Sequence, residues 1–109
     1  MIARVWTGVV ASDRVQAYVA YVEETGLEGY RRTLGCRLAS TLTRELGGER
    51  AEVVAFSIWE DVTDIQRFSG SDIDAMVLYP EDEAYLLEPP TLRHHDVHSF
   101  ATPTREERP

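Results

Sequence analysis

A chain of 109 residues with 43% hydrophobic and 9% aromatic side chains has the length of one domain with a single modest core. Nineteen carboxylates against eleven basic residues leave a formal charge of −8, which gives phosphate backbones and anionic headgroups little to hold and argues against nucleic acid or a membrane surface as partner. All the basic residues are arginine, so no lysine can form a Schiff base, and the lone Cys36 makes no internal disulfide, as suits a reducing, cytoplasmic compartment.

The opening MIARVWTGVV lacks the apolar length and cleavage pattern of a secretory signal, and no stretch approaches the ~20 apolar residues of a membrane span. Residues 2–10 are instead β-branched and aromatic, the signature of a strand. Ser12 then stands as a helix N-cap with Asp13 in the first turn, and Val15, Tyr18, Val19 and Val22 form one apolar stripe at helical spacing. Gly26 reads as the helix stop, and the following LEGYRRTLG as a loop carrying Tyr30. A second strand runs from Cys36 to Leu46, Gly47-Gly48 supplies a hairpin, and AEVVAFSIW returns as a third strand ending at Trp59. A second helical region starts near Asp61 with Asp64 three residues on, bends or restarts at Ser69-Gly70-Ser71, and stops before Pro80. PEDEAYLLE reads as a short helical turn, TLRHHDVHSF as the last strand, and the tail ATPTREERP as disordered, leaving one domain over residues 1–100.

The order β-α-β-β-α-β predicts an α+β, ferredoxin-like fold, one antiparallel sheet with both helices on one face. Such a sheet is ordinarily polar on its other side. Here Val54, Phe56 and Ile58 alternate with Val53, Ala55 and Trp59, and Ile2, Trp6 and Val10 with Val5 and Val9, so both faces are apolar. A sheet-to-sheet homodimer is the simplest cover for the second face.

The first strand IARVWTG, the loop TGLEGYRRTLG, FSIWED at residues 56–61, the run FSGSDIDAMVLYPEDE and the closing LRHHDV together resemble the antibiotic-biosynthesis-monooxygenase-like proteins of the dimeric α+β barrel superfamily. The resemblance covers about residues 2–98 and rests mostly on Trp59, Phe68-Ser69-Gly70 and Tyr79-Pro80-Glu81-Asp82. It implies a homodimeric barrel with a pocket between sheet and helices in each protomer, and, for its oxygenase members, cofactor-independent attack on an aromatic phenol, anthrone or quinol. Of the polyketide oxygenases' site positions, the tryptophan is similar at Trp59; their asparagine falls on Ala55, their tyrosine on Ile65, and an arginine near Tyr79. Haem-degrading members carry a histidine ligand in the second helical region, and residues 61–91 hold none. No cofactor or metal is therefore expected. The alternative is a non-catalytic small-molecule-binding or structural homodimer of the same fold.

Trp59 can wall an aromatic pocket and hydrogen-bond a substrate oxygen, or it can simply pack between sheet and helix. Tyr79, ahead of Pro80 at a helix end, is a candidate orienter or proton acceptor, and Tyr18, Tyr21, Tyr30 and Phe68 are candidates to line the same cavity, with core packing beside Val15, Val19 and Val22 the favoured reading of Tyr18. Arg4 shares a strand face with Trp6, and the two are further binding candidates, Arg4 as a neutraliser of an anionic phenolate or else the partner of a carboxylate. His94, Asp96 and His98 share a face, but at ~3.3 Å per residue the two histidines stand ~13 Å apart and cannot share a metal with ~2 Å bonds. His94 remains a candidate general base because its ordinary pKa is near neutral. Cys36 reads as structural and Glu81-Asp82-Glu83 as helix N-terminal charge.

Overall fold

Four extended stretches, the first and third rich in β-branched and aromatic residues, pair into one antiparallel sheet: β1 (Ile2–Ala11), β2 (Cys36–Gly47), β3 (Arg50–Trp59) and β4 (Thr91–Asp96), in the order β2-β3-β1-β4. The structure, a computed structural model, describes residues 1–101 and 103, so the expectation for the tail lies almost wholly outside the described residues. The strand order is that of the ferredoxin-like α+β fold. Gly47 and Gly48 both take positive φ (85° and 61°) and close the β2–β3 hairpin as expected. β4 is shorter than its sequence pattern: its last ladder contact is Val97 N–H to the Met1 carbonyl (2.9 Å), and Phe100 lies exposed beyond the sheet.

The two faces of the sheet differ in burial. Val53, Ala55, Ser57 and Trp59 of β3 are buried under the helical layer with Arg4, Trp6 and Val10 of β1. On the other face Val5, Val9, Val54 and Phe56 are only half covered, and Leu38 and Leu42, which register places beside Ile58 and Val54, are exposed.

The helical segments depart from their expected boundaries. Ser12 does not cap: residues Ser12–Arg14 form a 3-10 turn, the Ser12 hydroxyl donates to Glu45 Oε1 (2.7 Å), and the helix α1 begins at Val15 and runs to Val22. Gly26 does not stop it either. The chain continues through a π-helical turn, Glu23–Leu27, into α2 (Glu28–Arg32), so Tyr30 sits on a helix rather than a loop. Glycine costs a helix about 1 kcal/mol without ending it, and here the Thr25 hydroxyl also donates back to the Tyr21 carbonyl (2.7 Å).

Helix α3 (Val62–Ser69) starts where expected, with Asp61 Oδ1 accepting from the Asp64 N–H (3.2 Å). It does not restart after Ser69. Gly70 leaves the helix with φ 88°, Asp72 accepts from the Asp74 N–H (3.0 Å), and residues 70–81 cross the helical layer as an irregular segment, so Tyr79 is on this segment and not at a helix end. The short helix α4 (Asp82–Tyr85) follows Pro80 as expected. Among the described residues no helix is long and apolar enough to cross a membrane.

Candidate functional site

Trp6 lies across the β1–β3 ladder from Ala55, and the small alanine leaves space beside the indole. Over that space lie α1, the π-helical turn, α2 and the segment 70–81, which leave a half-open cavity of about 30 Å³, room for about two waters. Its wall is aromatic: Trp6, Tyr18, Tyr30, Phe68 and Tyr79, with Asp82 as the charged residue among them. A larger hollow of about 420 Å³ beside Ser12 and the β2–β3 turn has no aromatic residue in its lining among the described residues.

The polar groups of the cavity wall are mostly donors. Tyr18, fully buried on α1, donates its hydroxyl to Asp82 Oδ1 (2.8 Å), and burial together with that carboxylate pushes the phenol's pKa far up. Burial also raises Tyr79, with Tyr30, Asp82 and Tyr21 adding to it, and raises Tyr30, where Arg4 partly opposes the shift. All three phenols therefore stay protonated at neutral pH and can donate but not take up a proton. Trp6 is only 7% exposed and its indole N–H, fully buried, has no acceptor among the described residues.

Trp59, expected to wall the pocket, lies one layer behind it. It is wholly buried, its N–H donates to Ser57 Oγ (2.8 Å), and it meets Tyr30 edge-on with ring centroids 5.8 Å apart and Phe68 at 6.2 Å. It thus backs two of the lining rings, while Trp6 takes the lining position. Tyr30 and Phe68 do line the cavity and pack on each other at 4.7 Å. Tyr21 lies outside the lining: its hydroxyl accepts from the Glu81 N–H (2.9 Å), and its ring stacks on Tyr85 at 6.2 Å.

Arg4 and His94 form a second cluster beside the wall. Arg4 is 1% exposed; its Nη1 donates to the Ile73 carbonyl (2.7 Å) and meets His94 Nε2 (2.9 Å), while its Nε has no acceptor among the described residues. No carboxylate pairs with Arg4 among the described residues, and its guanidinium stands 5.6 Å from the Phe68 ring centroid. Since arginine only donates, His94 Nε2 accepts, which places the imidazole proton on Nδ1 facing Asp74 Oδ1 (3.2 Å). The lone pair a general base would use is therefore occupied by Arg4. Together these contacts tie the irregular segment, through Ile73 and Asp74, to the sheet.

Burial and then Arg4 lower the pKa of His94 below its ordinary 6.5, against the opposing pull of Asp74. The unfolded imidazole therefore takes up a proton before the folded one does. The stability His94 contributes is full above about pH 6.5 and falls as pH drops below it, until the native ring is protonated too. Denaturant unfolding at pH 7.5 and 5.5 is expected to show a smaller pH difference in His94→Gln than in the wild type; equal differences would remove His94 from this role. Glu28, whose pKa is lowered from 4.5 chiefly by Arg31 and then Arg32, titrates below this window.

Two contributors to the site are marked weakly or not at all in the sequence. Tyr18 sits in an ordinary apolar stripe, and Asp82 in an acidic run, yet Asp82 is 4% exposed and takes the Tyr79 N–H on Oδ2 (2.7 Å) besides the Tyr18 hydroxyl. The local Tyr79–Asp82 spacing is the one signal available, an i+3 carboxylate at a turn.

No family model matches the chain, and no curated protein matches it. Solved structures match in fold. A monooxygenase of Streptomyces coelicolor, ActVA-Orf6, in complex with the ligand nanaomycin D, has a TM-score of 0.63 at 17% identity over 94% of this chain and 92% of its own. A Bacillus cereus protein assigned as an antibiotic biosynthesis monooxygenase reaches 0.68 at 16% identity, over 94% of this chain and 97% of its own. One from Nitrosomonas europaea with the same assignment reaches 0.63 at 14% identity, over 89% and 98%. The fold is therefore that of antibiotic-biosynthesis-monooxygenase-type proteins, as the sequence resemblance implies.

Proposed function

We propose that this chain, with the fold of antibiotic-biosynthesis-monooxygenase-type proteins, is a cytoplasmic, cofactor-independent monooxygenase that oxygenates a small aromatic phenol, anthrone or quinol. The observation that carries the reading is the buried N–H of Trp6, unpartnered among the described residues, on a cavity whose lining includes the rings of Tyr18, Tyr30, Phe68 and Tyr79. A flat ligand bearing an oxygen supplies a ring for these side chains to stack on and an acceptor for the Trp6 N–H.

The chemistry needs little from the protein. An anthrone that loses a proton from its methylene carbon reduces O₂ itself: the carbon becomes a carbonyl holding one oxygen atom, and the other oxygen leaves as water. All four electrons come from the substrate and no external reductant enters. The protein orients the ring, handles the proton and excludes water. Trp6, Tyr30 and Phe68 bind the ring and Tyr79 donates to a substrate oxygen; Trp59 holds the wall from behind; Arg4, His94 and Tyr21 hold its surrounding segments. The cavity is smaller than such a substrate, so binding widens it; the irregular segment 70–81 is attached to the sheet by polar contacts at Ile73 and Asp74 and stays held to Asp82 through the Tyr79 N–H.

The half-covered face bearing Val54, Phe56, Leu38 and Leu42 supports a homodimer formed sheet to sheet. A second reading, a small-molecule-binding dimer without catalysis, is favoured by Ala55 and Ile65, which stand where the oxygenases this chain resembles carry polar side chains.

Oxygen uptake by the metal-stripped protein with a panel of anthrones and quinols, beside Trp6→Phe, tests the reading, with sedimentation reporting the dimer. Turnover that falls about tenfold or more in a folded, dimeric Trp6→Phe supports the oxygenase. Ligand binding without oxygen uptake transfers the protein to the binding class, and neither binding nor uptake overturns both.

A further inference from the structure

Among the described residues Asp82 is the one charged side chain lining the cavity, and the proposed oxygenation gives it no task. Its carboxylate accepts one hydrogen bond per oxygen, from the Tyr18 hydroxyl at Oδ1 and the Tyr79 N–H at Oδ2 (2.8 and 2.7 Å). An ionised carboxylate offers about four acceptor positions, so about half its capacity stays open. No arginine or histidine pairs with it among the described residues. A carboxylate that is 4% exposed, unpaired with a cation and bordered by aromatic rings disfavours a second negative charge and favours a donor.

We infer that Asp82 is the acceptor for a ring hydroxyl of the ligand, so that the cavity takes neutral hydroxyarenes and discriminates against their methyl ethers and against aryl carboxylates. The inference rests on the aromatic-ligand reading and sharpens it. In a catalytic cycle the anthrone's enol tautomer loses its hydroxyl proton, which gives the same anion as loss from the methylene carbon: the O–H bond breaks with its electron pair left on the substrate oxygen, and the proton passes to Asp82. The other candidate acceptors are less apt. Tyr18, Tyr30 and Tyr79 are held protonated, and the free nitrogen of His94 already accepts from Arg4. Tyr18 and the Tyr79 backbone, each donating to one oxygen, hold the carboxylate's orientation, and the Trp6 N–H is available to the hydroxyl oxygen as it gains charge.

Three probes of one ring size test this by calorimetry: 1-naphthol, 1-methoxynaphthalene and 1-naphthoate, each titrated into the wild type and Asp82→Asn. In the wild type, naphthol is expected to bind at least tenfold more tightly than the ether and the carboxylate. In Asp82→Asn, naphthol is expected to weaken, the ether to stay unchanged, and naphthoate to bind about tenfold more tightly as the repelling charge is removed. A merely structural Asp82 predicts something else, a shift of all three probes together. That outcome, or equal affinity for naphthol and its ether in the wild type, overturns the role of Asp82 and leaves the aromatic-ligand reading standing. Failure of all three probes to bind folded wild-type protein overturns that reading, and the role of Asp82 with it. The comparison among probes on the wild type holds whether or not the variant folds.

Discussion

Trp59→Ala is expected to lose about 3–5 kcal/mol of folding stability, the usual range for emptying a fully buried indole site. Trp59 ends β3 on the helix-facing side, is wholly buried, and supports Tyr30 and Phe68 from α2 and α3. Removing it leaves the Ser57 hydroxyl without its donor and a void that the two rings cannot fill without moving. Against a total stability of about 5–15 kcal/mol for a domain, that loss is a large fraction of what holds the native state. Urea unfolding monitored by far-ultraviolet circular dichroism measures it, and a loss below about 1 kcal/mol would contradict the packing role. A fall in activity in Trp59→Ala is therefore no evidence of contact with substrate. Trp59→Phe, which keeps a ring behind Tyr30 and gives up the Ser57 contact, separates the two.

Gly35→Ala is expected to cost about 2–5 kcal/mol, combining backbone strain at positive φ with overpacking. Gly35 has φ 95°, and a methyl group there would stand 2.1 Å from Asp64 Cγ and 2.4 Å from Asp64 Cβ. A change of rotamer cannot clear the Cβ, so the first turn of α3 must move away from the start of β2. The Gly35 carbonyl also accepts from the Glu60 N–H (3.0 Å), which fixes the exit of β3. A drop in melting temperature with native secondary structure retained is the expected signature. A melting temperature within 2 °C of wild type would show that this junction yields more easily than the contacts imply.

The sheet was legible because strand chemistry is local: β-branched residues alternate along β1 and β3, Gly47-Gly48 marks the β2–β3 hairpin, and the β-α-β-β-α-β order of elements implies the strand order. The site was less so, because both faces of β1 and β3 are apolar and alternation alone cannot say which one the helices cover. The two tryptophans share the helix-facing side, and their neighbours decide their parts: Trp6 lies opposite Ala55 and borders open space, whereas Trp59 lies between Ile2 and Cys36 and is roofed by Tyr30 and Phe68. Asp82 was illegible for a related reason. Between Glu81 and Glu83 nothing local marks it as buried, and its partner Tyr18 is 64 positions away.

The π-helical turn settles a matter of angular phase. Tyr18 and Tyr30 are twelve residues apart, and at about 100° per residue a plain α-helix would point them about 120° away from each other. Five residues wound at about 82° each take back about 90°, leaving the two rings within about 30°. The wide turn thus absorbs one surplus residue. Wound as plain α-helix, the same stretch would swing Tyr30 a quarter turn off the sheet and away from Trp59, whereas one residue fewer would keep it aligned at about 20°. In this arm an added or lost residue changes azimuth before it changes length, and azimuth decides whether the cavity keeps its Tyr30 wall.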